Sequence, residues 1–325
     1  MAAAPYTAPM EVCGVDVPCE LWERIFGEVP WRTRAALRLV CRAWRNMLDA
    51  PALWRSAPRW EVNYFAKCCR RGELAAAQWL AATFGLGPAD ARSEDNYALH
   101  AACAGGHLAT AQWLVARFGL GPADARSCDN VVLRFACAGG HLAVAQWLAA
   151  AFGLGPADAR SGDNYALGAA CINGHLALVQ WLAAAFGLGP ADARARDNHA
   201  LCVACGNGHL AVVQWLAARF GLGPADARAR DNYALRFACA GGHLAVAQWL
   251  TSTFGLGPAD ARTYDNEALR YACHDGHLVM VMWLAAAFGL GPADARSRGN
   301  WALYFARHNG HTNVVRWLEV RFDLV

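Results

Sequence analysis

Residues 95–128 read DNYALHAACAGGHLATAQWLVARFGLGPADARSC, and nearly the same wording returns down the chain every 34 residues. Trp79, Trp113, Trp147, Trp181, Trp215, Trp249, Trp283 and Trp317 mark the period, and so do Phe84, Phe118, Phe152, Phe186, Phe220, Phe254, Phe288 and Phe322. A fixed period of about 20–50 residues signals stacked repeats rather than one globular core. Eight units are legible, beginning near Glu61, Asp95, Asp129, Asp163, Asp197, Asp231, Asp265 and Gly299, the last cut short.

Each unit predicts two short helices. Asp95 or Asn96 can cap the first, which should end at Gly105-Gly106. Its apolar face holds Leu99, Ala102 and Cys103, at i, i+3 and i+4. The second runs from about Leu108 to Arg117, with Leu108, Ala111, Leu114 and Phe118 as the inward stripe and Trp113 beside it. FGLGPADARS then brings two glycines and a proline, which force a turn. Helices this short cannot bury an apolar face alone, so neighbouring units must stack. The array should be finite, because the last unit puts Arg307, Thr312, Asn313 and Arg316 where the others carry Cys, Leu, Ala and Gln. A polar outer face is what a terminal repeat needs.

The unit resembles the ankyrin repeat with one extra loop residue. Leu99-His100, Ala102-Cys103, Gly106-His107 and Gln112-Trp113-Leu114 sit where that family carries LH, AA, GH and its VxxLL run. The departures are Tyr97-Ala98 for the family's Thr-Pro and GLGPADARS for its hairpin sequence. The tetratricopeptide repeat shares the nominal period, but its two helices fill nearly the whole unit and leave no space for such a loop.

Residues 16–60 carry no repeat. Pro18 can open a helix with Leu21, Ile25 and Val29 on one stripe, widened by Trp22 and Phe26. A second helical stretch carries Leu37, Val40, Cys41, Trp44 and Leu48, with Arg38, Arg42 and Arg45 opposite. That is more apolar surface than about forty residues can bury alone, which points to a partner. Val17-Pro18, Glu20-Leu21, Ile25-Phe26, Val40-Cys41, Trp44-Arg45 and Leu53-Trp54-Arg55 resemble the F-box pattern. The resemblance implies docking on a Skp-type adaptor of a cullin ubiquitin ligase through Pro18, Leu21, Ile25, Phe26, Val40, Cys41 and Trp44. The plainer reading is a helical cap that only seals the first repeat. The expected organisation is a flexible N-terminus (1–15), an F-box-like domain (16–60) and an all-α ankyrin-repeat solenoid (61–325). F-box plus long, near-identical ankyrin arrays also resemble proteins of giant DNA viruses of amoebae.

Composition narrows the function. Hydrophobic residues make up 56% of the 325 and charged residues 17%, which excludes a disordered chain. Net charge is only +3, so neither a nucleic-acid nor a membrane footprint is expected. The longest apolar candidate, Leu142 to Leu154, is broken by Gln146 and Gly153 and falls short of the roughly 18–20 residues of a span. Residues 1–12 have no basic start or apolar core, so no signal peptide is read. With seven of thirteen cysteines in one repeat column, thiols buried in a reducing compartment are expected, in cytoplasm or nucleus.

Other columns have bland readings. The histidines of Gly-His, His107 through His311, stand on stacked helices about 8–10 Å apart. That is too far to share a zinc, so hydrogen bonding at a turn is expected, with no metal and no cofactor. Cys202 and Cys205 form a CxxC without a second pair, a weak zinc or redox signal. The arginines Arg92 through Arg296 each follow an aspartate by two residues, which should cancel their field. No nucleophile–base constellation appears, and the Gly-x-Gly follows a helix rather than a strand, so no enzyme is expected.

The informative signal is where the units differ. Counted from the unit's Asp, positions 3, 6, 7 and 10 vary freely and share one stripe of the first helix, opposite the packing residues. They offer Tyr97, His100, Arg134, Phe135, Tyr165, His199, Tyr233, Arg236, Phe237, Glu267, Arg270, Tyr271, His274, Trp301 and Tyr304. Tyr, Trp and Arg are enriched in binding hot spots, and in the ankyrin family this stripe lines the concave face. The expectation is a non-catalytic adaptor, monomeric outside its complex. It would hold a target protein on this stripe and recruit a ligase, or else act as a scaffold or decoy without one.

Overall fold

A computed structural model of the chain describes residues 10–12, 15–17 and 60–324. A short antiparallel pair joins Met10–Val12 to Val15–Val17, with Met10 opposite Val17. The first strand falls inside the stretch read as flexible. Pro18, Leu21, Ile25, Phe26, Val40, Cys41 and Trp44 lie outside the described residues. From residue 60 on, the chain is helical throughout, as the period predicts.

Trp60–Arg71 and Leu74–Thr83 form the first helix pair, Ser93–Ala104 and Leu108–Phe118 the second, and the series closes with Ser297–His308 and Thr312–Phe322. Alanine and leucine favour helix at these positions, and glycine ends it. Gly106 adopts φ 75°, which lets the His107 N–H reach back to the Ala102 carbonyl at 2.9 Å. At the end of the second helix Gly119 is left-handed (φ 61°), and the N–H of buried Leu120 returns to the Val115 carbonyl.

The loop is decoded residue by residue. Gly121 is extended, Pro122 takes the first position of a one-turn helix, Pro122–Ala125, and the third-position Asp124 accepts the Gly121 N–H at 2.8 Å. Proline suits that place because its missing N–H would be unpaired there anyway. No hairpin follows. Three successive residues, Glu94 (φ 49°), Asp95 (φ 55°) and Asn96 (φ 65°), make a left-handed turn that leads into the first helix, and every later unit repeats it. Asp95 and Asn96 therefore shape the turn and do not cap the helix by a side-chain bond, contrary to expectation. Asn and Asp tolerate this region better than other residues with a Cβ, which explains the recurrent Asp-Asn pair.

The core is one continuous layer. Leu99, Ala102, Cys103, Ala111 and Leu114 are fully buried. Each fully buried leucine contributes about 2 kcal/mol by leaving water. Trp and Phe of each unit meet edge to face, with centroids 5.2–6.0 Å apart. The column Thr110, Val144, Leu178, Val212, Val246, Met280 and Val314 is also buried, although the inward stripe had not included it. First helices lie against each other along the array, whereas second helices touch their neighbours sparingly. The array therefore bends with the first helices on the inner side.

Polar columns join the units. The His Nε2 of one unit donates to a first-helix carbonyl of the unit before at 2.8–3.1 Å, as in His141 to Ala104 and His209 to Ile172. A carbonyl only accepts, so the proton sits on Nε2. The ring fits because the left-handed glycine beneath it has no Cβ: one added at Gly106 would come within 2.4 Å of His141.

The arginines pair differently from the sequence expectation. Six of the seven reach the aspartate of the next unit, 32 residues on, and not the one two residues earlier: Arg92–Asp124, Arg126–Asp158, Arg160–Asp192, Arg194–Asp226, Arg228–Asp260 and Arg262–Asp294, while Arg296 donates to the Asp323 carbonyl. The fork is bidentate, with Nε at 2.6–2.8 Å and Nη2 at 2.9–3.1 Å. Nη2 also donates to a glycine carbonyl of that unit, such as Gly119 or Gly221. The guanidinium is the largest influence on Asp124, Asp192 and Asp226 and holds them below the usual carboxylate range against the opposing effect of burial. In Asp158, Asp260 and Asp294 burial is the largest single effect and pushes upward, but the arginine and the glycine N–H together outweigh it. The charge of this ladder is spent inside the protein, so it offers no track for phosphates.

Candidate interaction face

The inner side of the array is where the units differ, and the structure divides the predicted residues into two groups. Tyr97, Phe135, Tyr165, Trp301 and Tyr304 are exposed, between 39% and 57%. Arg134, His199, Tyr233, Phe237, Glu267, Tyr271 and His274 are half-buried on the same face. His100, Arg236 and Arg270 are buried, between 4% and 6% exposed, so position 6 does not present a free side chain in those units.

The buried position-6 groups hold the visible ones. Arg236 pairs with Glu267 of the next unit and donates to the Arg230 carbonyl at 3.0 Å. Its guanidinium lies 5.5 Å from the Tyr233 ring and 4.5 Å from Tyr264. Arg270 donates to the Asp265 and Tyr264 carbonyls at 2.9 and 2.8 Å and lies 5.0 Å from the Trp301 ring. Arg134 stacks 3.9 Å over Tyr165. A planar guanidinium thus does two jobs here: it binds carbonyls of the left-handed turn and supports an aromatic ring. Burial drives the His100 imidazole down to about 4, so it sits neutral beside Ser127.

The aromatics concentrate toward the C-terminal units. Tyr233 and Phe237 stack at 3.9 Å, and Phe305 is met by Trp301, Tyr304 and His274 at 4.8–5.3 Å. Arginine and neighbouring rings hold these side chains in place.

Sequence reasoning missed the tip of the left-handed turn. Glu94, Cys128, Arg196, Arg230, Tyr264 and Arg298 occupy one column, are exposed and change along the array, with arginine at three of the six. The comparison that picked out positions 3, 6, 7 and 10 contained this column too. It falls at the boundary between units, next to a loop whose conformation the sequence leaves open.

Among the described residues no three His, Cys, Asp or Glu side chains come together as a metal site. Cys202 and Cys205 are buried, and burial pushes the Cys202 thiol up to about 12 and the Cys205 thiol well above its ordinary value, a poor state for redox or ligation. No helix among the described residues is long and apolar enough to cross a membrane.

Residues 133–231, 167–258 and 235–321 each match the family described as ankyrin repeats (3 copies), and residues 65–115 match ankyrin repeats (many copies). Residues 15–57 match the family described as F-box-like. No curated protein matches the chain.

Proposed function

The chain belongs to the ankyrin-repeat family, and we propose that it is the substrate receptor of an SCF-type ubiquitin ligase. F-box-like and ankyrin modules are typically non-catalytic interaction units, so the coarse role is that of a protein-interaction adaptor. In the finer reading, the F-box-like segment binds a Skp-type adaptor and through it a cullin, while the inner face holds a target protein. The observation that carries this reading is the joining of the two modules in one chain, with the F-box-like match ending at residue 57 and the first solenoid helix starting at Trp60.

The protein performs no chemistry of its own in this scheme. It raises the effective concentration of the target near a ubiquitin-charged enzyme. The near-identity of the units fits an origin in a giant DNA virus of amoebae, in which case the recruited ligase is the host's. A scaffold or decoy would use the same face without recruiting the adaptor.

A pulldown of the full chain with purified Skp-type adaptor and cullin separates the two. Stoichiometric capture that Ile25→Asp abolishes, with helical content unchanged by circular dichroism, supports the receptor. Absence of capture by the folded wild type leaves the scaffold.

A further inference from the structure

We propose that Lys67 is the one lysine of the receptor that accepts ubiquitin, making it the chain's self-modification site. The inference rests on the ligase-receptor reading above. Lys67 is the only lysine among 29 lysines and arginines in the sequence. Part of that bias has a structural cause. The ladder arginines and Arg134, Arg236 and Arg270 use a planar fork or a stacked plane that an ammonium cannot supply. The cause does not extend to the whole surface. Arg196, Arg316 and Arg321 are exposed and, among the described residues, have no carboxylate fork or ring against them, so lysine would serve there equally well. Lysine is excluded from places where geometry would allow it and kept at one.

That one place is reachable. Lys67 is exposed, on the helix Trp60–Arg71. It stands ten residues beyond the F-box-like match that ends at residue 57, so its Cα lies within about 36 Å of that point even with the chain fully extended. The eighth unit is about 60–70 Å farther along the stack. Lys67 also occupies the column of Phe135, Phe237, Tyr271 and Phe305, at the adaptor-proximal end of the face assigned to the target. In this scheme a charged enzyme that reaches a target held on this face can also reach Lys67.

The step is an ordinary transfer. The deprotonated Lys67 amine attacks the thioester carbonyl that links the ubiquitin C-terminal glycine to a conjugating enzyme's cysteine. An isopeptide bond forms, the carbon–sulfur bond breaks, and the thiol leaves with the proton that the amine gives up.

The test reconstitutes the full chain with Skp-type adaptor, cullin and ubiquitin-charged conjugating enzyme, and scores complex assembly separately by co-elution. Wild type should gain ubiquitin mapped to Lys67, and Lys67→Arg should lose it while assembling and melting as wild type does. Adding Arg70→Lys to Lys67→Arg, at a likewise exposed position one turn along the same helix, should restore conjugates. Conjugates that persist in Lys67→Arg, or an assembled wild-type complex that gains none, would overturn the proposal. Failure of the folded chain to assemble at all would instead remove the receptor reading and the proposal with it.

Discussion

Two surfaces of the same repeat obey opposite rules. At the two ends of the helix pairs, the Arg–Asp ladder in the loop and the His–carbonyl column at the Gly-His turn repeat with almost no change, and the paired members touch the next or the previous unit. Along the inner side of the first helices the residues change from unit to unit, and the exposed ones, such as Tyr97 and Tyr304, do not enter the core. The constant residues hold the stack together, and the varied ones are what the stack displays. Variation alone is not a map of the surface, however. Arg236 and Arg270 vary with the face yet are buried as its supports.

The largest expected effect on stability is at a constant position. Gly208→Ala puts a Cβ within 2.4 Å of His243 on a backbone at φ 79°. It should cost on the order of 2 kcal/mol or more in denaturant melts. An unchanged midpoint would show that the histidine column does not lock the units. Next comes Arg236→Ala, which strands Glu267 and the Arg230 carbonyl. It should destabilise by about 1–3 kcal/mol, although sequence alone places it on a binding surface. A melt identical to wild type would return Arg236 to the exposed group.

Acid should act through the constant surface. The ladder carboxyls sit below their usual range in the folded chain, so the unfolded chain takes their protons first as pH falls through about 4. The ladder's contribution to stability should therefore be full above that point and be lost below it. His100, neutral and lowered to about 4, adds a shallower loss that begins as pH falls below 6.5. Asp226→Asn should lower the melting midpoint at neutral pH and flatten the acid limb; an acid limb that stays as steep would detach the ladder from it. The smallest stability effect belongs to Tyr97→Ala and Tyr304→Ala, each within about 0.5–1 kcal/mol of wild type. A larger loss would move those residues into the packing group.

Most of the architecture was legible because the repeat presents the same physical constraint eight times. Leu99, Ala102, Leu114 and Trp113 announced two helices and a stack. The loop was harder, since Gly-Leu-Gly-Pro specifies a break but not its shape. The one-turn helix needed Asp124 to be recognised as its third-position acceptor, and the left-handed turn needed Asp95-Asn96 to be read as residues suited to positive φ rather than as caps. Pairing of Arg92 with Asp124 rather than Asp90 was invisible in sequence, because the ladder spacing equals the repeat less two and both aspartates belong to the same column. The face was half legible: the aromatics showed themselves by variation, whereas the burial of His100, Arg236 and Arg270 depended on how closely the first helices approach.

The division between constant and varied surfaces is most directly tested by photo-cross-linking from single positions in cells that contain the target. A photoreactive phenylalanine at Tyr165 or Tyr304, on the varied face, should give one common protein adduct. The same group at Gln180, exposed on a second helix whose Gln column is nearly constant, should give none. An adduct formed equally well from Gln180, or from Gln180 alone, would contradict the assignment of the inner face to the target.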